Sequence, residues 1–371
     1  MADMAATLNT VLDVLDRIAP LSYAAAWDNV GLLLAPARPR RIERMLLTID
    51  LAAPVVDEAI AARASMIVAY HPPIFEPIKR VHGRLAALIE RRVAVYSPHT
   101  ALDAASGGVN DWLAEGLGPG DVGAMESLPA TDDLNDCKLV AFVPADHVDR
   151  MREQLKGLAG WIGDYRECSF GVTGTGTFRG GPGTHPVVGQ ANRLERVDEV
   201  RLEMSCEGAA LPRIEAAIRE VHPYEEPAWD VYRLAAKPTT HIGYGRSVAL
   251  KRPARLATIV QRVKRHLKLS HVRVAAAKGH RRGGTIRNIA LCAGAGGSVL
   301  GGASADVYLT GEMRHHDVLA AVEAGTSVIL CDHTNTERGY LPVLKKKLAA
   351  ELGRGVRIDV SKRDAEPLRV V

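Results

Sequence analysis

The feature that most constrains this chain is a recurring one: short apolar runs that stop abruptly at polar, histidine-bearing turns. Met66–Ala69 runs straight into Tyr70-His71-Pro72-Pro73, residues 93–96 end at Ser97-Pro98-His99, and Ser327–Leu330 ends at Cys331-Asp332-His333. Brief apolar runs bounded by turn residues mark strands buried on both faces; residues 45–49 form another. Between them the spacing turns helical. Residues 7–18 place Leu8, Val11, Leu12, Val14, Leu15 and Ile18 on one face, and helices are predicted over 53–62 and 85–91. Strands alternating with helices predict an α/β layered fold, in which ligands collect at the carboxyl ends of strands.

The texture shifts near residue 130. A strand over 138–143, a helix over 147–158 and a glycine- and threonine-rich alternating segment over 168–178 come first, then a loop over 179–186. A strand over 200–205, a helix over Leu211–Val221 and a strand over 228–234 complete the order β-α-β-β-α-β. That order is ferredoxin-like, and about 100 residues is an ordinary size for a module. The expected organisation is one half of an α/β core over 1–130, a ferredoxin-like α+β insertion over 131–237 with an exit linker at 237–240, and the second half over 238–371. There, strands are predicted at 272–276, 286–291, 307–309 and 327–330, and helices at 256–266, 316–323 and 340–352. The halves echo one another, because Ser65 to His71 and Ser327 to His333 each carry a histidine six residues after a serine. Strands lying side by side would bring these histidines together; coincidence is the competing explanation.

Composition narrows the function classes. Lysine plus arginine exceed aspartate plus glutamate by 47 − 43 = 4, with small clusters at 38–41, 280–282 and 345–347. Such clusters read as solvated faces rather than a nucleic-acid footprint, and a nucleotide or other phosphate-bearing small molecule would suit the same charges. No run reaches the ~18 uninterrupted apolar residues of a spanning helix. The N-terminus, with Asp3 and Asp13, lacks the basic-then-apolar pattern of a leader. Five cysteines without CxxC spacing read as reduced, mostly buried thiols, which makes the cytoplasm the expected compartment and a membrane location unexpected.

The chemistry-bearing residues gather at the turns. His99 and Asp103 bracket Thr100-Ala101-Leu102, and His333 and Glu337 bracket Thr334-Asn335-Thr336. A four-residue separation turns both side chains of a pair one way if the segment is helical. Imidazole nitrogens with carboxylates suit zinc, iron or manganese, and a carboxylate can bridge two ions. Two ions roughly 3.5–4 Å apart can activate water and polarise a substrate. Plainer readings stand beside these: His71 as a hydrogen-bonding turn residue, Asp103 and Glu337 as acids at helix starts, and His315-His316 as solvent-facing. The turn Gly294-Ala295-Gly296-Gly297 serves either to bring backbone amides to a phosphate or to allow tight strand–helix packing.

Several motifs, in order along nearly the whole chain, resemble the GTP cyclohydrolase 1 type 2 homologue family. They are Trp27-Asp28-Asn29-Val30-Gly31-Leu32, Tyr70-His71-Pro72-Pro73-Ile74-Phe75, and Tyr96-Ser97-Pro98-His99-Thr100 through Asp103. Gly107-Gly108-Val109-Asn110-Asp111, Asp306-Val307-Tyr308-Leu309-Thr310-Gly311-Glu312 with His315-His316-Asp317, and His333 through Glu337 continue the series. The middle segment, with Gly174-Thr175-Gly176-Thr177-Phe178 and His222-Pro223-Tyr224-Glu225-Glu226-Pro227, resembles the PII/CutA-like insertion of the family's longer bacterial members. The resemblance implies a two-lobed core with mixed sheets, a toroidal homohexamer with trimeric contacts through the insertion, and a dinuclear centre holding two divalent ions (zinc, iron or manganese) per subunit.

Carried onto this chain, it implies metal ligation by His71, Asp103, His333 and Glu337, with Asp103 or Glu337 bridging. His99, His315 and His316 would line the pocket as acid–base or supporting groups. Many bacterial members have His-His where this chain has Tyr70-His71. Tyr70 is therefore expected to ligate weakly, to hydrogen-bond a metal-bound water, or to leave the second ion loosely held. Glu312 would anchor water at the ions or pair with Arg314, and the His222 turn would hold a regulatory ligand or simply shape the module. The implied activity is metal-dependent hydrolysis of a C–N bond in a cyclic amidine or amide. The alternatives are a metal store, sensor or chaperone gated by the insertion, and a partner-binding scaffold.

Overall fold

The computed structural model describes residues 5–38, 41–129, 135–235 and 238–368. The chain divides into two compact units, one of Met1–Pro129 with Pro238–Val371 and one of Ala130–Lys237. In the first unit it runs α1 (Leu8–Ile18), β1 (Gly31–Leu34), β2 (Arg44–Thr48), α2 (Ala53–Ala61), β3 (Met66–Ala69) and α3 (Gly83–Glu90). It continues through β4 (Ala94–Ser97), α4 (His99–Ala104), α5 (Val109–Glu115) and β5 (Gly120–Pro129). The second unit carries β6 (Cys137–Pro144), α6 (Val148–Gln154), β7 (Phe170–Arg179), β8 (Leu194–Cys206), α7 (Leu211–Val221) and β9 (Trp229–Arg233). The first unit resumes with β10 (Pro238–Arg255), α8 (Leu256–Leu267), β11 (Arg273–Ala275), α9 (Lys278–Arg281) and β12 (Thr285–Cys292). It closes with α10 (Gly297–Leu300), β13 (Val307–Thr310), α11 (His315–Glu323), β14 (Ser327–Leu330), α12 (Leu341–Leu352) and β15 (Arg357–Val360).

Two mixed sheets organise the first unit, in the orders β1-β4-β3-β2-β15 and β11-β14-β13-β12-β10-β5. Each contains three parallel strands consecutive in the chain, β2-β3-β4 in one and β12-β13-β14 in the other, and β15 adds a fourth parallel strand beside β2. An antiparallel strand, β1 or β11, lies beyond the third. Successive side chains on a strand face opposite ways, and here both ways lead into protein. Met45, Leu47, Met66, Val68 and Tyr96 share one core with Leu291, Leu309 and Ile329 of the other sheet and with the apolar faces of α1, α5 and α12. Leu46, Ile67 and Val95 pack outward onto α2 and α3, while Ala290, Tyr308 and Val328 pack onto α10 and α11. The layers run helix, sheet, helix, sheet, helix, which is why the strands read as unbroken apolar runs. Leu47 and Leu309 are wholly buried in the shared layer, where truncation to alanine costs about 2–5 kcal/mol.

One buried charge holds this layer together. The Arg246 side chain on β10 is enclosed and donates to both oxygens of Asp111, at 2.5 and 3.1 Å. It also donates to the carbonyls of Gly243, Gly245 and Ala105. A guanidinium out of water needs this many acceptors, and those at Ala105 and Asp111 fix the chain between α4 and α5.

The second unit is a four-stranded antiparallel sheet in the order β7-β8-β6-β9. Leu139, Leu202 and Met204 pack there on Met151 of α6 and on Ile214 and Ile218 of α7. Among the described residues no helix is long and apolar enough to cross a membrane.

The structure departs from the sequence reading in several strands. β1, β5, β10 and β15 were not foreseen. Pro238–Thr240 open the long strand β10 instead of forming an exit linker, and Lys237 lies outside the described residues. Helix α6 stops at Gln154. The echo between His71 and His333 is offset too, because β3 and β14 belong to different sheets. By place in its sheet, β14 corresponds to β4.

Candidate metal centre

That correspondence exposes a repeat. Past its third parallel strand each lobe carries His-Thr-x-x-acid: His99-Thr100-Ala101-Leu102-Asp103 after β4, and His333-Thr334-Asn335-Thr336-Glu337 after β14. Each turn passes through a non-glycine residue with positive φ, His99 at 27° and Asp332 at 64°, a conformation that persists only where its surroundings enforce it. In each, the threonine N–H and hydroxyl donate to one carboxylate. Asp28 accepts from Thr100 at 3.1 and 2.5 Å, and Glu366 accepts from Thr334 at 3.3 and 2.5 Å.

The turns bring donor atoms together from both ends of the chain. His71, His333 and Glu337 each offer an atom within 4.8 Å of the others. His71 Nε2 lies 3.3 Å from Glu337 Oε2, and His333 Nε2 lies 3.4 Å from Glu337 Oε1. His71 Nε2 and Glu337 Oε2 are both buried without a hydrogen-bond partner, a costly state for polar atoms in a folded protein. Gly294, at φ 64°, closes the site from one side. A Cβ there would stand 2.6 Å from Glu337 Oε1 and 3.0 Å from His333 Nε2, so no side chain fits. Two imidazole nitrogens and a carboxylate form a donor set that suits zinc, iron or manganese; the residues fit a cation.

Electrostatics point the same way. Burial disfavours a charged His71, yet Asp50 and Glu337 outweigh it and push its pKa up to about 10. The metal-free site thus keeps a proton between two carboxylates, where a metal ion would replace it. Asp50 Oδ1 lies 2.9 Å from His71 Nδ1, which fixes the proton on that nitrogen and leaves Nε2 as the donor. Burial works to raise the Asp50 carboxyl, but its bond to His71 and the charges of His71, Arg338 and His333 hold it below the usual range.

Asp103 lies at the wall of the same cavity. The buried Tyr70 hydroxyl donates to its Oδ1. Enclosure pushes the Asp103 pKa up to about 6; His99, Tyr70 and His71 oppose this and Glu337 adds to it. Burial and the Asp103 and Glu337 carboxylates raise the Tyr70 phenol far above its ordinary range, so it acts as a neutral donor. Asn110, fully buried, ties the lobes here: its amide donates to the Asp103 carbonyl at 3.1 Å and its oxygen accepts from Ala293 N at 2.8 Å. His99 is held differently from His333. Its Nδ1 lies 2.9 Å from both oxygens of Asp28, whose side chain is wholly covered. Burial works to raise the Asp28 carboxyl, but His99 and Thr100 keep it below the usual range.

The cavity measures about 650 Å³ and is lined by His71, His99, Asp103, His333 and Glu337. Trp27 and Phe75 stand at its mouth, 65% and 55% exposed, with ring centroids 5.9 Å apart and 6.0 and 6.4 Å from His99. His315 and His316 do not join it. They are exposed at the start of α11, in ring contact with each other, and they are absent from the cavity lining. Glu312 faces His333 Nδ1 at 3.7 Å. In the glycine turn, a Cβ on Gly296 would lie 2.5 Å from Cys292 Cβ and 2.8 Å from Thr310 Oγ1, which favours the packing explanation. In the second unit His222 Nε2 donates to the Phe142 carbonyl at 2.9 Å and Nδ1 accepts from Tyr224 N at 3.1 Å, so both ring nitrogens of His222 are satisfied within the unit.

The residues behind the candidate ligands were not singled out from sequence. Asp28 entered only inside a motif, and Asp50, Asp364 and Glu366 not at all. Asp50 had one usable signal, its place just past the carboxyl end of β2.

Known proteins align with the chain end to end. Residues 6–367 match the profile of the Duf34/NIF3 (NGG1p interacting factor 3) family. A NIF3-like protein 1 of Rattus norvegicus is 37% identical over 98% of this chain and 93% of its own length. A GTP cyclohydrolase 1 type 2 homolog of Halalkalibacterium halodurans is 35% identical over 91% of each. The crystal structure of a Bacillus cereus protein related to NIF3 superposes with a TM-score of 0.72 at 30% identity, covering 98% of this chain and 99% of that one.

Proposed function

The chain belongs to the Duf34/NIF3 family, and on that premise we propose that it binds two divalent cations and hydrolyses a ring C–N bond in a flat nitrogen heterocycle. The observation that carries the reading is the pair of buried, unpartnered atoms His71 Nε2 and Glu337 Oε2, facing each other at 3.3 Å. His71, His333 and Glu337 would hold the first cation. Asp103 would hold the second more weakly, because Tyr70 already occupies one of its oxygens. When bound, such ions polarise a substrate oxygen or imine and lower the pKa of water.

The chain's own residues supply the rest. Asp28 keeps a proton on His99 Nδ1, leaving Nε2 to take a proton from the attacking water as its oxygen bonds to the ring carbon and to pass that proton to the ring nitrogen as the C–N bond breaks. Trp27 and Phe75 present faces on which a flat ring stacks, a contact worth about 0.5–1.5 kcal/mol. A relative named for GTP cyclohydrolase 1 type 2 supports a purine nucleotide as the first substrate to try. Element order and sheet order in the second unit support reading it as a ferredoxin-like insertion between core halves at 1–130 and 238–371. In that reading it joins copies into a homohexamer through trimeric contacts, in the cytoplasm.

Metal analysis of the purified protein tests the centre. Glu337→Gln is expected to lose bound zinc, iron or manganese, and retention at wild-type stoichiometry would overturn the assignment. GTP at about 1 mM, the upper end of common KM values, tests the substrate, and no turnover with any of the three metals discards it. The Tyr70–Asp103 bond also favours a second reading, a metal carrier. Labile, transferable metal without hydrolysis of any heterocycle would select it.

A further inference from the structure

After β15 the chain loses regular structure, yet its side chains are not idle. β15 pairs in parallel with β2 of the first sheet. Just beyond it, Ser361 N donates to the Leu47 carbonyl at 2.8 Å. The Ser361 hydroxyl and Lys362 N donate to Glu58 of α2, at 2.5 and 3.0 Å. The Asp364 side chain is then 2% exposed, unusual for a carboxylate on an irregular terminal segment. It accepts from Ile49 N at 2.9 Å and Asp50 N at 3.4 Å and pairs with Arg338. Two residues on, Glu366 takes the N–H and hydroxyl of Thr334, and Arg338 donates to the same hydroxyl at 2.6 Å.

The contacts of Asp364 and Glu366 reach the neighbours of the proposed ligands. Asp50 holds the ring of His71, Thr334 follows His333, and Arg338 follows Glu337. In the first lobe the matching carboxylate, Asp28, comes from that lobe itself. In the second lobe Glu366 arrives on a segment whose strand is hydrogen-bonded into the other lobe's sheet. We infer that residues 361–366 form a clasp between the lobes, with Asp364 and Glu366 as positioning residues that keep His71 and the His333–Glu337 turn at ligating distance. The inference rests on the metal-centre reading above.

The test uses the full-length chain with Asp364→Asn and Glu366→Gln, which disturb the clasp from opposite sides. Zinc affinity is measured by chelator competition, the visible spectrum of bound Co²⁺ is recorded, and the metal-free melting temperature is followed. Either variant is expected to weaken zinc about 10–100-fold, the usual effect of losing an outer partner of a ligand, and to shift the Co²⁺ spectrum. Wild-type affinity and an unchanged spectrum in both variants would overturn the clasp, whatever the melting temperature does. Should Asp364→Asn fail to fold, Glu366→Gln decides alone. If wild-type protein binds no zinc, the metal centre itself fails, a result distinct from wild-type binding that the variants share.

Discussion

In the first lobe the His-Thr-x-x-acid turn delivers His99 to Asp28; in the second the same turn delivers His333 to Glu337, 3.4 Å away in the donor cluster. The neighbouring parallel strands and the threonine anchor are alike, although the positive-φ residue is the histidine itself in the first turn and the residue before it in the second; the larger difference lies in what each histidine finds. Asp28 occupies the Nδ1 side of His99, and the loop after β3 sends His71 to the donor cluster instead. One lobe thus supplies both its imidazole and its carboxylate from a single turn, whereas the other splits the tasks between two strands. On the proposed reading, that split leaves His99 for proton transfer beside a site that His71 and His333 already supply with nitrogen.

The comparison breaks most readily at the histidines. His333→Ala is expected to weaken metal binding by more than ~100-fold, exceeding the ~10–100-fold of an outer partner, while His99→Ala keeps wild-type affinity in chelator competition. Equal losses would mean that the lobes ligate alike. A smaller effect separates the carboxylates behind them. Asp50→Asn, which loosens His71, is expected to cost about 10–100-fold in affinity, and Asp28→Asn to leave it unchanged; the reverse order would place His99 at the metal.

Smallest is the pH signature of the metal-free chain. The His71 pKa lies above its unfolded value of 6.5, so its contribution to stability is complete below pH 6.5 and is lost as pH rises toward about 10. Melting temperature is expected to fall over that window by about 2–4 °C for each kcal/mol lost. The slope should flatten in His71→Ala, and calorimetry showing the same slope with and without the imidazole would remove this account of the site's charge.

Much of the core was legible because its parallel strands are buried on both faces. Met66–Ala69 and Ser327–Leu330 stand exactly where their apolar runs stop. Strand β10 was not legible: its first half, Pro238 to Arg246, has no apolar run, and it becomes a strand by pairing with β5, far away in sequence. At the site, residue type and spacing pointed to His71, Asp103, His333 and Glu337, all of which line one cavity. Their supports did not show, since a carboxylate such as Asp364 looks like any surface charge until the fold brings Ile49 and Arg338 to it. The doublet His315-His316 stands apart from that cavity lining and begins an exposed helix face.

Pro129 and Pro238, the last and first core residues on either side of the second unit, are register partners on β5 and β10. To the core, everything between them is the loop of a hairpin. Closing a longer loop costs only about 0.6 kcal/mol for each doubling of its length, so a whole module can be gained, exchanged or dropped at this seam while the sheets around the candidate site keep their register. The core carries a socket, and evolution is free to change what is plugged into it.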